Sequence, residues 1–212
     1  MDRLHQIDTF SRFTQVSRET ISSLKKYEDI LIKHNKKLNL IGKSTEKDIW
    51  LRHFLDSSQV IDLISKNDKE MLDFGTGAGF PGLLIAIICK DKKVPLKIKL
   101  IEKSPKKIRF LKEVIDELDL NVDLLCMNIL TEPIKIYEDL LIARAFKPLK
   151  IIFELIHNKA QNWKKFIIFL GKTGKNELLQ ASKIWDIEYK QRTSITSNDS
   201  LVIEINKLKK KN

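Results

Sequence analysis

Cysteine is scarce in this chain. Of 212 residues only Cys89 and Cys126 are cysteines. Each lies inside an apolar run with no second cysteine nearby, so neither a disulfide framework nor a zinc-ligand spacing can be drawn, and both read as small core residues of a cytoplasmic protein. No metal is expected. No apolar stretch reaches the ~18 residues that a membrane span requires. The start Met1-Asp2-Arg3-Leu4-His5 lacks the apolar segment of a signal peptide, and a soluble chain with no membrane partner is expected. Acidic residues are the minority charge, 28 Asp+Glu against 39 Lys+Arg, for a net charge of +11. Such a field attracts polyanions, nucleic acid first among them; a Lys-rich coding bias, accompanied by many Ile and Asn, would give the same composition without that partner.

What is present is a change of pattern partway along. From Ser17 to Leu38 the residues Ile21, Leu24, Tyr27, Leu31 and Leu38 approximate helical periodicity. A second helical region is expected over 46–64, with Ile49, Leu51, Phe54, Leu55, Val60, Ile61 and Ile64 on its apolar face and Ser44 or Thr45 at its start. After the polar break Ser65 to Lys69, short apolar runs alternate with longer helical ones, as in βαβ units with a parallel sheet. Strands are predicted at 70–74, 97–102, 121–126, 138–143, 165–170, 186–191 and 200–206, with helices at 80–90, 105–118, 148–160 and 174–185. The fold class is therefore α/β: a Rossmann-like, mostly parallel seven-stranded sheet with helices on both faces and an N-terminal helical extension. The divisions are 1–66 for the extension, 67–207 for the sheet domain and 208–212 for a basic tail, where the run from Lys207 to Asn212 reads as a loose, solvated end.

The ten residues Asp73-Phe74-Gly75-Thr76-Gly77-Ala78-Gly79-Phe80-Pro81-Gly82 join the first strand to a helix. That is where doubly wound sheets bind ligands. Glycine suits a backbone that turns sharply and lets a ligand lie against it. A dinucleotide fingerprint G-x-G-x-x-G would need glycine at position 80, which is Phe80, so pyrophosphate packing is disfavoured. A phosphate-free adenosine cofactor, S-adenosylmethionine, fits better: it needs a backbone cradle for its methionine part and a carboxylate for its ribose, and Glu102 at the end of the second strand stands at the ribose position. Gly42-Lys43-Ser44 and Gly171-Lys172-Thr173 end like P-loops, but the glycine each would need is Lys37 or Phe166.

These residues resemble a known family, the bacterial 16S ribosomal RNA guanine-N7 methyltransferases, also called glucose-inhibited division protein B. The resemblance covers most of the chain. It rests on His34-Asn35-Lys36-Lys37-Leu38-Asn39-Leu40, Arg52-His53-Phe54-Leu55-Asp56-Ser57, the glycine loop, Lys106-Lys107-Ile108-Arg109-Phe110-Leu111 and Ala143-Arg144-Ala145-Phe146. It implies a class I methyltransferase with cofactor contacts at Gly75, Phe80, Asn128, Ile129 and Arg144, beside Asp73, Gly77, Gly79 and Glu102, which the loop and the second strand already suggest. The family usually carries an acid in the Asn128-Ile129 pair; here there is none, so a main-chain contact from Ile129 is expected. Arg144 and Lys172 become positioning candidates, and Asn39, Arg52, His53, Phe146, Lys106, Lys107 and Arg109 candidates for RNA contact. The implied partner is 16S rRNA or the small ribosomal subunit, met by a monomer.

Guanine N7 has an in-plane lone pair and no proton, so it can attack a sulfonium methyl without a general base; holding it in line supplies most of the rate. The chain also lacks the Asn/Asp-Pro-Pro-aromatic segment common in exocyclic-amine methylation and a cysteine placed for ring-carbon attack. His53 and Asp56, at i and i+3, could pair with each other or with Arg52. Arg144 could reach the cofactor carboxylate or a phosphate. Phe146 could stack on a splayed base or pack against the N-terminal helices. Other readings open at this level are a methyltransferase for another RNA or a small molecule, and a non-catalytic, cofactor-binding ribosome assembly factor.

Overall fold

Runs such as Met71-Leu72-Asp73-Phe74 and Leu140-Leu141-Ile142-Ala143, apolar on both faces, are what a strand needs when helices cover both sides of its sheet. The computed structural model describes residues 2–211 and places both runs at the centre of a seven-stranded sheet. Its strands are β1 (Glu70–Phe74), β2 (Lys97–Glu102), β3 (Val122–Cys126), β4 (Leu140–Arg144), β5 (Lys165–Leu170), β6 (Trp185–Ser194) and β7 (Ser197–Lys210), in the order β3-β2-β1-β4-β5-β7-β6. β1 to β5 are parallel where they pair; β7 is antiparallel to both β5 and β6. The order reverses between β1 and β4, which opens a crevice at their carboxyl ends.

The helices are α1 (Arg3–Thr14), α2 (Arg18–Leu38), α3 (Asp56–Ser58), α4 (Gly82–Asp91), α5 (Pro105–Glu117), α6 (Leu149–Lys159) and α7 (Gly174–Ser182). Local chemistry explains their ends. Asp2 caps α1 by accepting from the His5 N–H (2.9 Å), Ser17 caps α2 through the Thr20 N–H (3.2 Å), and Ser104 with Pro105 starts α5. Two apolar layers result. One face of the sheet packs against α4, α5 and the N-terminal helices through Phe10, Leu24, Tyr27, Phe54, Leu83 and Phe110; the other packs against α6 and α7 through Phe153, Phe166 and Trp185.

Four expectations need correction. α1 was not anticipated from periodicity: Phe10 is its only fully buried large apolar residue, and the helix is held instead by Arg3 and Gln6, which bond Glu28 and the Lys47 carbonyl. The region 46–64 is not one helix. It is a 3-10 turn (Lys43–Asp48), a π-helical turn (Trp50–Leu55), the short α3 and a further 3-10 turn (Ile61–Leu63). Here the polar residues Asp56, Ser57, Ser58 and Gln59 are buried alongside Trp50 and Phe54, which no single helical stripe permits.

The tail is not loose up to Lys210. Lys209 and Lys210 sit in register with Asp186 and Trp185, and Lys207 bridges Asp186 (3.3 Å) and Glu188 (2.7 Å); Asn212 lies outside the described residues. Cys89 is buried as expected, but Cys126 is exposed, because β3 is an edge strand and Cys126 ends it. No helix among the described residues is long and apolar enough to cross a membrane.

Candidate functional site

The glycine loop leaves β1 and is shaped from inside the protein. Asp73, fully buried, accepts through one oxygen from the Thr76 hydroxyl (2.6 Å) and the Gly82 N–H (3.0 Å), closing the loop onto the start of α4. Its other oxygen has no partner among the described residues. Burial raises the Asp73 carboxyl to about 6, opposed by its bonds to Thr76 and Gly82. From the other side Tyr27 of α2 donates its hydroxyl hydrogen to the Ala78 carbonyl and stacks on Phe80, ring centroids 5.6 Å apart. Gly79 at φ +89° passes so close to Tyr27 and Leu83 that a Cβ there would overlap both.

In front of the loop lies a cleft of about 330 Å³ at the carboxyl ends of β1, β2 and β4, lined by Gly75, Glu102, Asn128, Ile129, Phe146 and their neighbours. Glu102 is buried at its edge and accepts from the Gly77 N–H (3.2 Å) and the Ser104 N–H (2.9 Å), which fixes the carboxylate toward the cleft. Asn128 turns the chain after β3, its side chain accepting from the Leu130 N–H (3.3 Å); the Ile129 carbonyl is taken by Lys159 (2.7 Å). Gly75, at φ +64°, lies against Phe146, whose ring also packs on Phe74 at 6.2 Å. Phe146 therefore belongs to the α6–α7 side of the core and not to the N-terminal helices. Lys103, Lys107 and Lys147 ring the mouth.

A second pocket, about 210 Å³, adjoins the first across Ala145 and lies at the ends of β4, β5 and the β6–β7 turn. Arg144 and Asp56 meet in it. The guanidinium pairs with Asp56 Oδ2 (2.9 Å), donates to the Arg52 carbonyl (2.8 Å) and lies 6.0 Å over the Phe169 ring. Burial pulls the Arg144 pKa down, and Asp56 opposes that. Asp56 Oδ1 accepts from Ser194 (2.9 Å), Thr196 (2.5 Å) and Gln59 (3.0 Å). Asp56 thus pairs with Arg144 and not with His53 or Arg52, since the π-helical turn carries His53 off to a different contact. His53 stacks on Phe80 (5.2 Å), contacts Thr45 Oγ1 through Nε2 (2.8 Å) and approaches Arg144 through Nδ1 (3.5 Å). Accepting from Arg144 at Nδ1 puts the proton on Nε2, which donates to Thr45.

The expected residues are divided by this geometry. Gly75, Glu102, Asn128, Ile129 and Phe146 line the cleft, together with Lys107. Asp73, Gly79 and Phe80 stand behind it as braces, Gly77 faces it through its bonded N–H, and Arg144 and Arg52 line the adjoining pocket. Lys106 and Asn39 are exposed, the latter as the left-handed residue that ends α2 (φ 46°). Arg109 is exposed farther along α5, and Lys172 is turned outward to Asp199 (3.6 Å). Missed from sequence were Asp56 as the partner of Arg144 and the hydroxyls of Ser194 and Thr196, which carry no motif signal. Among the described residues no group of three or more His, Cys, Asp or Glu is placed to hold a metal.

Two buried groups give the site a testable acid response. His53 is lowered to about 3 by burial, then by the charges of Arg144 and Arg52, so its stabilisation is present above its unfolded value near 6.5 and is lost as pH falls toward 3. Asp73 is raised, so its stabilisation is present below the unfolded value near 3.8 and is lost as pH rises through 6. Between pH 4 and 6 the two slopes oppose. Asp73→Asn is therefore expected to unmask the histidine slope, about 1.4 kcal/mol per pH unit at most, and His53→Gln the opposite one. Urea unfolding at pH 4, 5 and 6 reads both; parallel curves for wild type and variants would contradict the assignment.

The chain matches the family model described as rRNA small subunit methyltransferase G over residues 20–203. It is 39% identical over 199 residues to the ribosomal RNA small subunit methyltransferase G of Pelagibacter ubique, covering 93% of each chain, and 32% identical over 196 residues to that of Rickettsia felis, covering 92% of this chain and 98% of the relative. Among solved structures its fold is similar to a SAM-dependent methyltransferase from Aquifex aeolicus (TM-score 0.58, 16% identity, 77% of this chain and 95% of that one). It is also similar to M. capricolum TrmK in complex with S-adenosyl-homocysteine (TM-score 0.53, 20% identity, 70% and 66%).

Proposed function

Because the chain belongs to the rRNA small subunit methyltransferase G family, we propose that it transfers the methyl group of S-adenosylmethionine to N7 of a guanine in small-subunit (16S) ribosomal RNA. The observation that carries the choice of N7 is the engagement of His53 and Asp56, the two side chains nearest the junction of the cleft and the second pocket that could act as a base. His53 is held neutral between Thr45 and Arg144, and Asp56 is occupied by Arg144 and three neutral donors. Both are engaged by neighbouring groups of the protein. N7 carries an in-plane lone pair and no proton, so its methylation needs no base at the point of attack and a site that only positions suffices.

The cleft residues fit the cofactor. Glu102 directs a carboxylate at it while keeping lone pairs for two ribose hydroxyls, and Gly75, lacking a Cβ, lets the Phe146 ring pack on the backbone and leaves the cleft open beside it. The unpartnered Asp73 oxygen lies under the same loop, where an ammonium group could be satisfied. S-adenosylmethionine supplies a methyl on a positively charged sulfur. The protein's own part is to orient: Phe146 and Ile129 wall the cleft with apolar surface that excludes water, Glu102 and the loop fix the nucleoside, and Lys103, Lys107 and Lys147 at the mouth meet phosphates. We place the methyltransferase unit at 67–207 with residues up to 66 packed on it, acting as a monomer in the cytoplasm.

Glu102→Gln is expected to weaken S-adenosylhomocysteine binding roughly 10- to 100-fold, the loss of charge-assisted hydrogen bonds worth about 1.5–3 kcal/mol. Calorimetric titration measures it, and unchanged affinity would remove Glu102 from the ribose. The function itself is tested with methyl-labelled cofactor, naked rRNA and assembled small subunits, followed by mapping of N7-methylguanine. Label confined to another atom or another RNA would reject the proposal, as would cofactor binding with no S-adenosylhomocysteine formed.

A further inference from the structure

Across Ala145 from the cleft, the second pocket combines groups that the transfer step itself does not use. Its polar end is the Asp56 carboxylate. A carboxylate offers about four acceptor positions. Oδ1 is filled by Ser194, Thr196 and Gln59, while Oδ2 receives only Arg144 (2.9 Å), so one lone pair of Oδ2 remains. Asp56 nevertheless lines the pocket. Its opposite character comes from Phe169, a half-buried ring with the Arg144 guanidinium 6.0 Å over it, and from the exposed guanidinium of Arg52. An aromatic face, a planar cation and a fixed carboxylate are what a splayed purine needs in order to be held and read.

Guanine alone among the common bases carries two neighbouring N–H donors, N1–H and the exocyclic N2 amine, and they lie on the side of the ring system away from N7. A guanine whose N7 faces the cleft past Ala145 turns that donor edge into the pocket. We infer that this pocket receives the flipped target guanine and that Asp56 is its specificity-determining residue, with the remaining lone pair of Oδ2 accepting from the exocyclic N2 amine while Ser194, Thr196 and Arg144 hold the carboxylate in place. Adenine, with no donor at its N1 or C2, leaves the carboxylate unanswered and is rejected on that ground. The inference rests on the guanine-N7 reading above and names the residue that selects the base.

The test replaces the mapped target guanosine by inosine, which keeps N7, O6 and N1–H and lacks only the N2 amine, in an RNA or reconstituted subunit otherwise unchanged. Wild-type protein is expected to lose roughly 10- to 100-fold in kcat/KM on the inosine substrate, the ordinary effect of deleting one hydrogen bond to a charged acceptor. Asp56→Asn is expected to be slower on both substrates, because it also weakens the hold on Arg144, but to discriminate between them by less than about threefold. A merely structural role would lower both rates and leave the wild-type ratio intact. Equal rates on guanosine and inosine with wild-type protein overturn the inference without needing any variant, as does an Asp56→Asn protein that keeps the wild-type ratio. In either case methylation of the guanosine substrate at N7 still stands; only absence of that methylation would sink the underlying function.

Discussion

Gly75→Ala is expected to weaken S-adenosylhomocysteine binding on the order of 100-fold, or nearly 3 kcal/mol, while the protein stays folded. Two effects combine. At φ +64° an L-residue costs about 1–2 kcal/mol for the left-handed conformation, a loss of stability that thermal unfolding reads. The added Cβ would also overlap the Phe146 ring, which is only half-buried and can move one way, into the cleft it lines. The core beneath, Phe74 and Phe166, is fully buried and does not yield. Calorimetric titration and thermal unfolding separate the two consequences. Phe146→Ala in the same chain is expected to return part of the lost affinity by clearing the overlap. If Gly75→Ala binds within threefold of wild type, the cofactor does not lie against this stretch of backbone.

Arg144→Met is expected to destabilise the protein by about 3 kcal/mol, because it strands a buried carboxylate on neutral donors. The side chains of Arg144 and Asp56 are 19% and 12% exposed, so solvent screens the pair little. For a chain of this size the melting temperature should fall by roughly 6–12 °C. Methyl transfer should drop far more than stability does, since the same guanidinium fixes Asp56 Oδ2, the Arg52 carbonyl and the contact with His53. The double change Arg144→Met with Asp56→Asn removes the stranded charge. It is expected to recover most of the melting temperature and none of the activity, and recovery of both would show that the pair is structural only.

The strands were legible because a sheet covered on both faces demands continuous apolar runs, and β4 and β5 are such runs. The glycine loop was legible too, since only glycine tolerates the approach of Phe146 and Tyr27. What could not be read has definite physical causes. α1 is fixed by Arg3 and Gln6 reaching polar groups distant in sequence, which leaves no periodic trace. The turn from Trp50 to Leu55 is π-helical, and a hydrophobic pattern assuming 3.6 residues per turn misplaces every side chain beyond it. That error is what paired His53 with Asp56 in the sequence reading. The lysines near the end of β7 looked solvated because their charge says nothing of strand pairing, yet Asp186 and Glu188 on β6 lie across from Lys209 and Lys207.

Tyr27 reaches from α2 to the Ala78 carbonyl and the face of Phe80, so the loop takes part of its shape from a helix made earlier in the chain. During synthesis the residues of α2 are joined before those of the loop, so Tyr27 already exists when the loop is made. The aromatic side chain that shapes the loop therefore comes from a helix that is itself buried against α4 and α5, so loop and helix fix one another. A circularly permuted chain beginning at Lys69 would reverse the order of synthesis, holding the loop without its template until the helices arrived last.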